Sequence, residues 1–237
     1  MPYVLLGIAA LVFAFVMLLF VTAMCERQYL SGDVEPVDEP YPHAPSPYWQ
    51  ATREDARGLG MQHAGDFATR KNTSVVKGLQ SMWVTRDRSV ICAIIGGSIV
   101  GAKLKKTVLR SRLENGRVIE SADDPGLTDI SKRVERAVFL NAGLEELMQF
   151  HLQRIANSGS APVPFKGESV IGDYEQVDLE KGERMVELGL ARWVTPQRDV
   201  VRMTFRGAFA HVIDGFFKDI GRLSAQKDRA TIRRAGS

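Results

Sequence analysis

What most constrains this chain is an uncharged run from Val4 to Met24. Thirteen of its twenty-one residues are Leu, Ile, Val or Phe, and Thr22 is the only polar side chain. As an α-helix rising 1.5 Å per residue it would span about 31 Å, close to the roughly 30 Å hydrocarbon core of a bilayer. On an insertion scale those thirteen side chains contribute about −6 kcal/mol, with no charge to oppose them. A transmembrane helix over residues 4–24 is therefore expected, with the lipid bilayer as its partner. A cleaved signal peptide would carry Lys or Arg ahead of a shorter apolar stretch. Met1, Pro2 and Tyr3 supply no such charge, although Val21-Thr22-Ala23 has the small residues of a cut site. Cys25 follows Met24 instead of a small residue, so it reads as an interfacial thiol and not a lipoprotein cysteine. Arg27 is the only basic residue close to the run and lies on its C-terminal side. The positive-inside bias then places a single-pass protein in the cell (inner) membrane with its C-terminal region in the cytoplasm.

Beyond the run, a chain of 237 residues that is 45% hydrophobic and 25% charged folds as a globular protein. Wholesale disorder, a collagen-like repeat and a polytopic channel are excluded by those proportions. Cys25 and Cys92 cannot build a disulfide framework or a four-ligand zinc site. The stretch Glu26–Asp55 holds seven acidic and two basic residues and five of the ten prolines, Pro36, Pro40, Pro42, Pro45 and Pro47. Its core, residues 26–46, reads as an acidic proline-rich linker that keeps the rest off the bilayer. The remaining residues, 56–237, carry a net charge of +8.

The folded part divides in two. Residues 47–157 read as an α+β domain with a mainly antiparallel sheet of five or six strands. A helix over about Pro47–Leu59 precedes strands near Gln62–Thr69, Ser74–Thr85, Ser89–Ile95 and Ser98–Lys103, then Thr107–Leu113 and Arg117–Ser121 around the Asn115-Gly116 turn. The uncharged run Val90–Ala102 is too short to span a bilayer and reads as two buried strands around a Gly96-Gly97 turn. Leu109 and Leu113 alternate with Arg110 and Arg112, which predicts one wet sheet face. Leu144, Leu147, Met148, His151 and Ile155 then recur at helical spacing, with Asn141 as the expected cap. His151 on that stripe is expected to pack against the sheet with its nitrogens satisfied.

After a boundary at Asn157–Pro164, residues 165–225 form a smaller piece. A helix over about Glu175–Leu188 ends at Gly189, with Leu190 folding back on Met185. Ala191–Val194 and Val200–Thr204 make a hairpin, and Thr204 caps a final helix with the stripe Phe205, Phe209, Val212, Ile213, Phe216, Ile220 and Leu223. A basic tail, 226–237, contains Lys227, Arg229, Arg233 and Arg234.

No motif carries chemistry. Gly96–Lys103 lacks the Lys directly after the second glycine and the hydroxyl that a phosphate loop needs. His43, His63, His151 and His211 share no metal-ligand spacing, and Asp123-Asp124 reads as a solvated turn before Pro125-Gly126. No catalytic residue, metal or cofactor is implied. Met185–Gly207 resembles the second half of a winged helix, whose first two helices have no counterpart between Ser158 and Tyr174. The resemblance offers Arg192, Arg198, Arg202 and Arg206 as contacts for nucleic acid or an acidic partner. A helix with Glu175, Asp178, Glu180, Glu183 and Glu187 against Lys181 and Arg184 repels phosphate, so protein docking is favoured and nucleic acid is not expected.

Several segments also resemble a group of uncharacterised bacterial single-pass membrane-anchored proteins. They are Met82–Asp87, the glycine-interrupted apolar run to Lys106, Ser111–Arg117, the helix Asn141–Arg154 and Gly189–Val194. That resemblance implies an anchor and no activity. The expected function is a non-enzymatic interaction or scaffold module with a protein partner. A membrane-tethered winged-helix DNA-binding regulator and an enzyme of unrecognised type are the alternatives.

Overall fold

The computed structural model describes residues 2–25, 27–31, 34–42, 44–70, 76–99, 102–124 and 129–213. The chain is α+β, with a mostly antiparallel multi-strand sheet and, among the described residues, five helices. In chain order these are α1 (Pro2–Cys25), β1 (Arg27–Tyr29), β2 (Val34–Pro36), α2 (Pro47–Gly58), β3 (Gln62–Thr69), β4 (Val76–Val84), β5 (Ile91–Ile99) and β6 (Ala102–Leu113). There follow β7 (Val118–Ala122), β8 (Val134–Val138), α3 (Leu144–Asn157), β9 (Pro162–Val163), α4 (Val170–Glu187), β10 (Ala191–Trp193), β11 (Val200–Met203) and α5 (Phe205–Ala210).

The large sheet runs β2-β3-β4-β5-β6-β7-β8, with β9 added beside β6. Eight strands thus replace the five or six expected. Among the described residues only β7 and β8 pair in parallel. The extra strands are short segments whose hydrogen-bonding partners, not their composition, make them strands. One of them, β2, comes from the acidic linker and pairs with β3. Another, β9, lies inside the expected boundary and pairs with Arg112 and Leu113.

Both faces of this sheet are covered. On one, α2 and α3 bring Trp49, Ala56, Leu144, Leu147 and Met148 against Leu79, Trp83, Cys92, Ile94 and Leu109. On the other, Val170 and Val177 of α4 join Met82, Val84, Ile91, Ala93 and Val108. Cys92 and Ile94 therefore face one helix layer while Ile91 and Ala93 face the other. That double coverage explains an apolar run without alternation. It also corrects the expectation of a wet face. Arg110 lies under α4, with only 5% of its side chain exposed.

The expected Gly96-Gly97 turn is corrected as well. β5 runs unbroken through both glycines and pairs with β4 and β6 along its length. A Cβ on Gly96 would lie 2.8 Å from Trp49 Cβ and 2.9 Å from Ser46 Oγ. The glycine admits the start of α2, which Ser46 caps by accepting the Trp49 N–H at 3.2 Å. At the other hairpin, Leu113 N–H donates to Arg117 O and Gly116 N–H to Leu113 O. With Gly116 at φ 79° supplying the one positive φ of the Glu114-Asn115-Gly116 loop, this is a type I turn with a glycine bulge.

α3 buries the five residues expected of it, but Gly143 occupies the N-cap position without a side-chain bond, and Asn141 sits at φ 59°. α4 begins five residues earlier than expected because Ser169 caps it through the Gly172 N–H. Among the described residues no helix is long and apolar enough to cross a membrane. Within α1 the side chains described are those of residues 14–25, while its backbone is helical over all 24 residues from Pro2 to Cys25.

Candidate functional site

The smaller unit is built where α4 ends. Leu190 N–H donates to Met185 O at 2.8 Å and Gly189 N–H to Val186 O at 2.9 Å. Gly189 at φ 69° permits this double closure, which turns the chain into β10. The hairpin β10–β11 gains a third strand from the far end of the chain, because β1 pairs antiparallel with β11. The acidic linker is therefore not a free tether at its start. Leu30 accompanies it, donating its N–H to Asp199 O at 2.8 Å and packing on Gly182, where a Cβ would lie 2.2 Å from Leu30 Cδ1.

One face of the small sheet is apolar. Ala191, Val201 and Met203 pack with Met185, Leu190, Ala208 and Ala23 of α1. The opposite face carries arginines. Arg27 is opposite Arg202, and Arg202 is opposite Arg192, so three arginines stand in register across the three strands. Like charges directly opposite one another destabilise a sheet unless an anion lies between them. Arg202 donates to Cys25 O at 3.2 Å, while its buried Nε has no partner among the described residues.

Of the four arginines expected as contacts, only Arg192 and Arg202 are brought together. Arg198, at φ 58°, lies in the exposed turn between the strands. Arg206 is on α5, on the border of a cleft of about 1040 Å³ that α4 and residues 130–133 also line. Arg27 was not among the expected contacts, since nothing local in the sequence marks residues 27–29 as a partner of residues 200–202. The stripe on α5 is also corrected. Thr204 caps the helix as expected, but Gly207, Ala208 and Val212 face inward and Phe205, Phe209 and Ile213 are exposed. Phe216, Ile220, Leu223 and the basic tail lie outside the described residues.

The acidic helix and the arginines of the large sheet form one interface. Arg110 reaches Asp178 with two parallel bonds of 3.0 Å, Glu120 at 2.7 Å and Tyr174 O at 2.9 Å, and its guanidinium lies 3.8 Å from the Tyr174 ring centre. Arg112 and Arg133 both hold Glu180 at 2.8 Å. Burial alone would raise the Glu120 pKa, but Arg110 and Arg136 pull it down to about 2. The first half of α4 is thus fixed to the sheet and is not a free recognition helix.

The other polar clusters among the described residues are held together by their own hydrogen bonds. His151, fully buried, lies 3.0 Å from Ser111 Oγ and 2.9 Å from Ser121 Oγ. Ser111 gives its hydroxyl proton to Ser89 O, so it must accept from His151 Nε2–H, and Ser121 donates to Nδ1. Burial and the nearby Arg154 lower the His151 pKa to about 3. Asp66 accepts from Ser81 at 2.6 Å, Tyr41 at 2.7 Å and Arg53 at 2.8 Å, with His63 3.0 Å away. Burial works to raise its pKa, and these partners overcome it and hold the carboxylate below its usual range. Ser81 and His63 both meet the same carboxylate oxygen, Asp66 Oδ1. Asp123 is not a freely solvated turn residue. It accepts from Tyr48 at 2.6 Å and from the Thr107 N–H at 2.6 Å, and burial raises its pKa.

The described residues therefore define an α+β chain with a large unit whose apolar core holds buried polar clusters, and an arginine-bearing small unit at the end of an apolar helix. Comparison with protein-family models, with curated proteins and with solved structures returns no match.

Proposed function

We propose that this is a bacterial single-pass membrane-anchored protein, with α1 crossing the cell membrane over residues 4–24 and the folded part acting as a non-enzymatic interaction module in the cytoplasm. The observation that supports it most is the joint between the apolar helix and the fold. β1 starts two residues after Cys25 and is hydrogen-bonded to β11, and Ala23 is buried in the core of the small unit. A helix end built into a sheet presents that sheet at the bilayer in a fixed orientation, which suits a docking scaffold. The row Arg27, Arg202 and Arg192 supplies a surface for an acidic protein partner.

Alkaline carbonate washing of membranes holding the full chain tests the anchor: the protein is expected to stay with the membrane, and its release would refute the reading. A reporter fused after Ser237 is expected to be active only as a cytoplasmic fusion. Nucleic-acid binding is a second reading, which the same arginine row favours. It requires binding at low salt that falls when Arg192 and Arg202 are changed to Ala, and no binding at low salt would end it.

A further inference from the structure

We propose that α5 is a second membrane element, lying in the bilayer interface with Phe205 and Phe209 among the acyl chains. This rests on the reading that α1 spans the bilayer and extends it to a part of the chain far away in sequence.

The exposed large apolar side chains among the described residues are not scattered. All but Leu59, Leu152 and Val194 belong to α1 or to the segment from Phe205 to Ile213. Phe205 is 67% exposed and Phe209 57%, values comparable to Leu18 at 63% and Phe15 at 51% on α1. The two surfaces touch, since the Phe205 and Phe20 rings meet edge to face at 4.9 Å. Phe20 precedes the end of α1 by five residues, which at 1.5 Å per residue places it about 7.5 Å below that end. Amphipathic helices at membrane surfaces bury their apolar face about 5–10 Å into the headgroup and acyl boundary. Phe205 is held at that depth by its contact with the anchor.

The orientation of α5 is not adjustable. A Cβ on Gly207 would lie 1.7 Å from Leu190 O, so the backbone of α5 sits directly on that carbonyl. Ala208 is buried beside it. The phenylalanines consequently cannot turn into the small unit's core, and continuity with the lipid-facing side of α1 makes lipid their occupant. Arg206, exposed next to Phe205, extends toward the headgroups as basic side chains on interfacial helices do.

The test uses the full chain carrying Cys25→Ser and Phe209→Cys, labelled with an environment-sensitive fluorophore and reconstituted in phosphatidylcholine–phosphatidylglycerol vesicles. Cys92 is fully buried and does not compete for label. Leu152→Cys on α3, 49% exposed in the parent, is the control position. Spin-labelled phosphatidylcholine should quench the label at 209 about twofold or more beyond the label at 152, with a blue-shifted emission at 209. Equal quenching at the two positions in carbonate-resistant vesicles would overturn the proposal and leave the anchor intact. A blue shift at 209 without lipid quenching would mean that protein, a second copy included, covers α5, and would overturn it too. Release by carbonate would remove the anchor and the proposal together.

Discussion

His151 makes the acid stability of this protein a measurable consequence of one buried ring. Its folded pKa is about 3 against 6.5 for the unfolded chain, because burial and Arg154 disfavour the imidazolium. Between these values the unfolded chain binds a proton that the folded chain refuses, so stability rises with pH and is lost as pH falls. From pH 7 to pH 4.5 linkage gives a loss of roughly 2–3 kcal/mol from this group alone. Glu120, also lowered, contributes its own loss mainly below pH 4.5, as pH falls toward about 2. The perturbation is His151→Gln, which keeps an N–H for Ser111 and removes the titration. Denaturant unfolding of the full chain in detergent, repeated at pH 7 and pH 4.5, measures both proteins. The wild type should lose about 2–3 kcal/mol more than the variant over that interval. In parallel, the His151 ring resonances should not titrate above about pH 4 in the folded protein. Parallel stability curves, or a ring that titrates near 6.5, would refute the buried, hydroxyl-bridged arrangement.

Four further substitutions test the packing. Gly207→Ala should destabilise by about 3 kcal/mol or more despite Ala's better helix propensity, since the added carbon meets backbone and not a movable side chain. Gly58→Ala, with nothing within 4 Å, should instead stabilise by about 0.4–1 kcal/mol, and the pair is compared by denaturant midpoint. Gly96→Ala should lower the melting temperature and expose Trp49 to fluorescence quenchers, because α2 has to withdraw from β5. Glu120→Gln should cost about 3–5 kcal/mol in chemical unfolding, as Arg110 and Arg136 lose a buried counter-charge.

What could be read in the sequence was what short-range physics specifies. The boundaries of β3, the five buried residues of α3, the closure at Gly189 and the cap at Thr204 each follow from neighbours a few positions apart. Arg110 and Arg112 read as solvated because their partners, Asp178 and Glu180, lie 68 residues away on α4. The same acidic residues, read alone, marked α4 as a poor phosphate binder. Each half of the interface looked like an ordinary wet surface, and only the fold joins them. β1 and β2 were hidden for a related reason. Three residues of strand draw their order from β11 and β3, and an acidic, proline-rich stretch gives no periodicity to announce it. The exposure of Phe205 and Phe209 was hidden because helical spacing identifies a stripe without saying which solvent it meets.

The pairing of β1 with β11 also sets an order of events during synthesis. The carbonyl of Cys25 and the guanidinium of Arg202 that binds it are separated by 177 positions. A ribosome releases the apolar helix first, yet its neighbouring strand must wait, unpaired, until residues 200–202 have been made. Until then Ala23, Leu30 and the edge of β1 lack their native cover, a long-range closure of the kind that slows folding and invites misassembly. Truncation anywhere before residue 200 would leave this early-made segment without its mate, so nascent-chain quality control should recognise incomplete copies at the apolar helix and β1 and not at the distal unit.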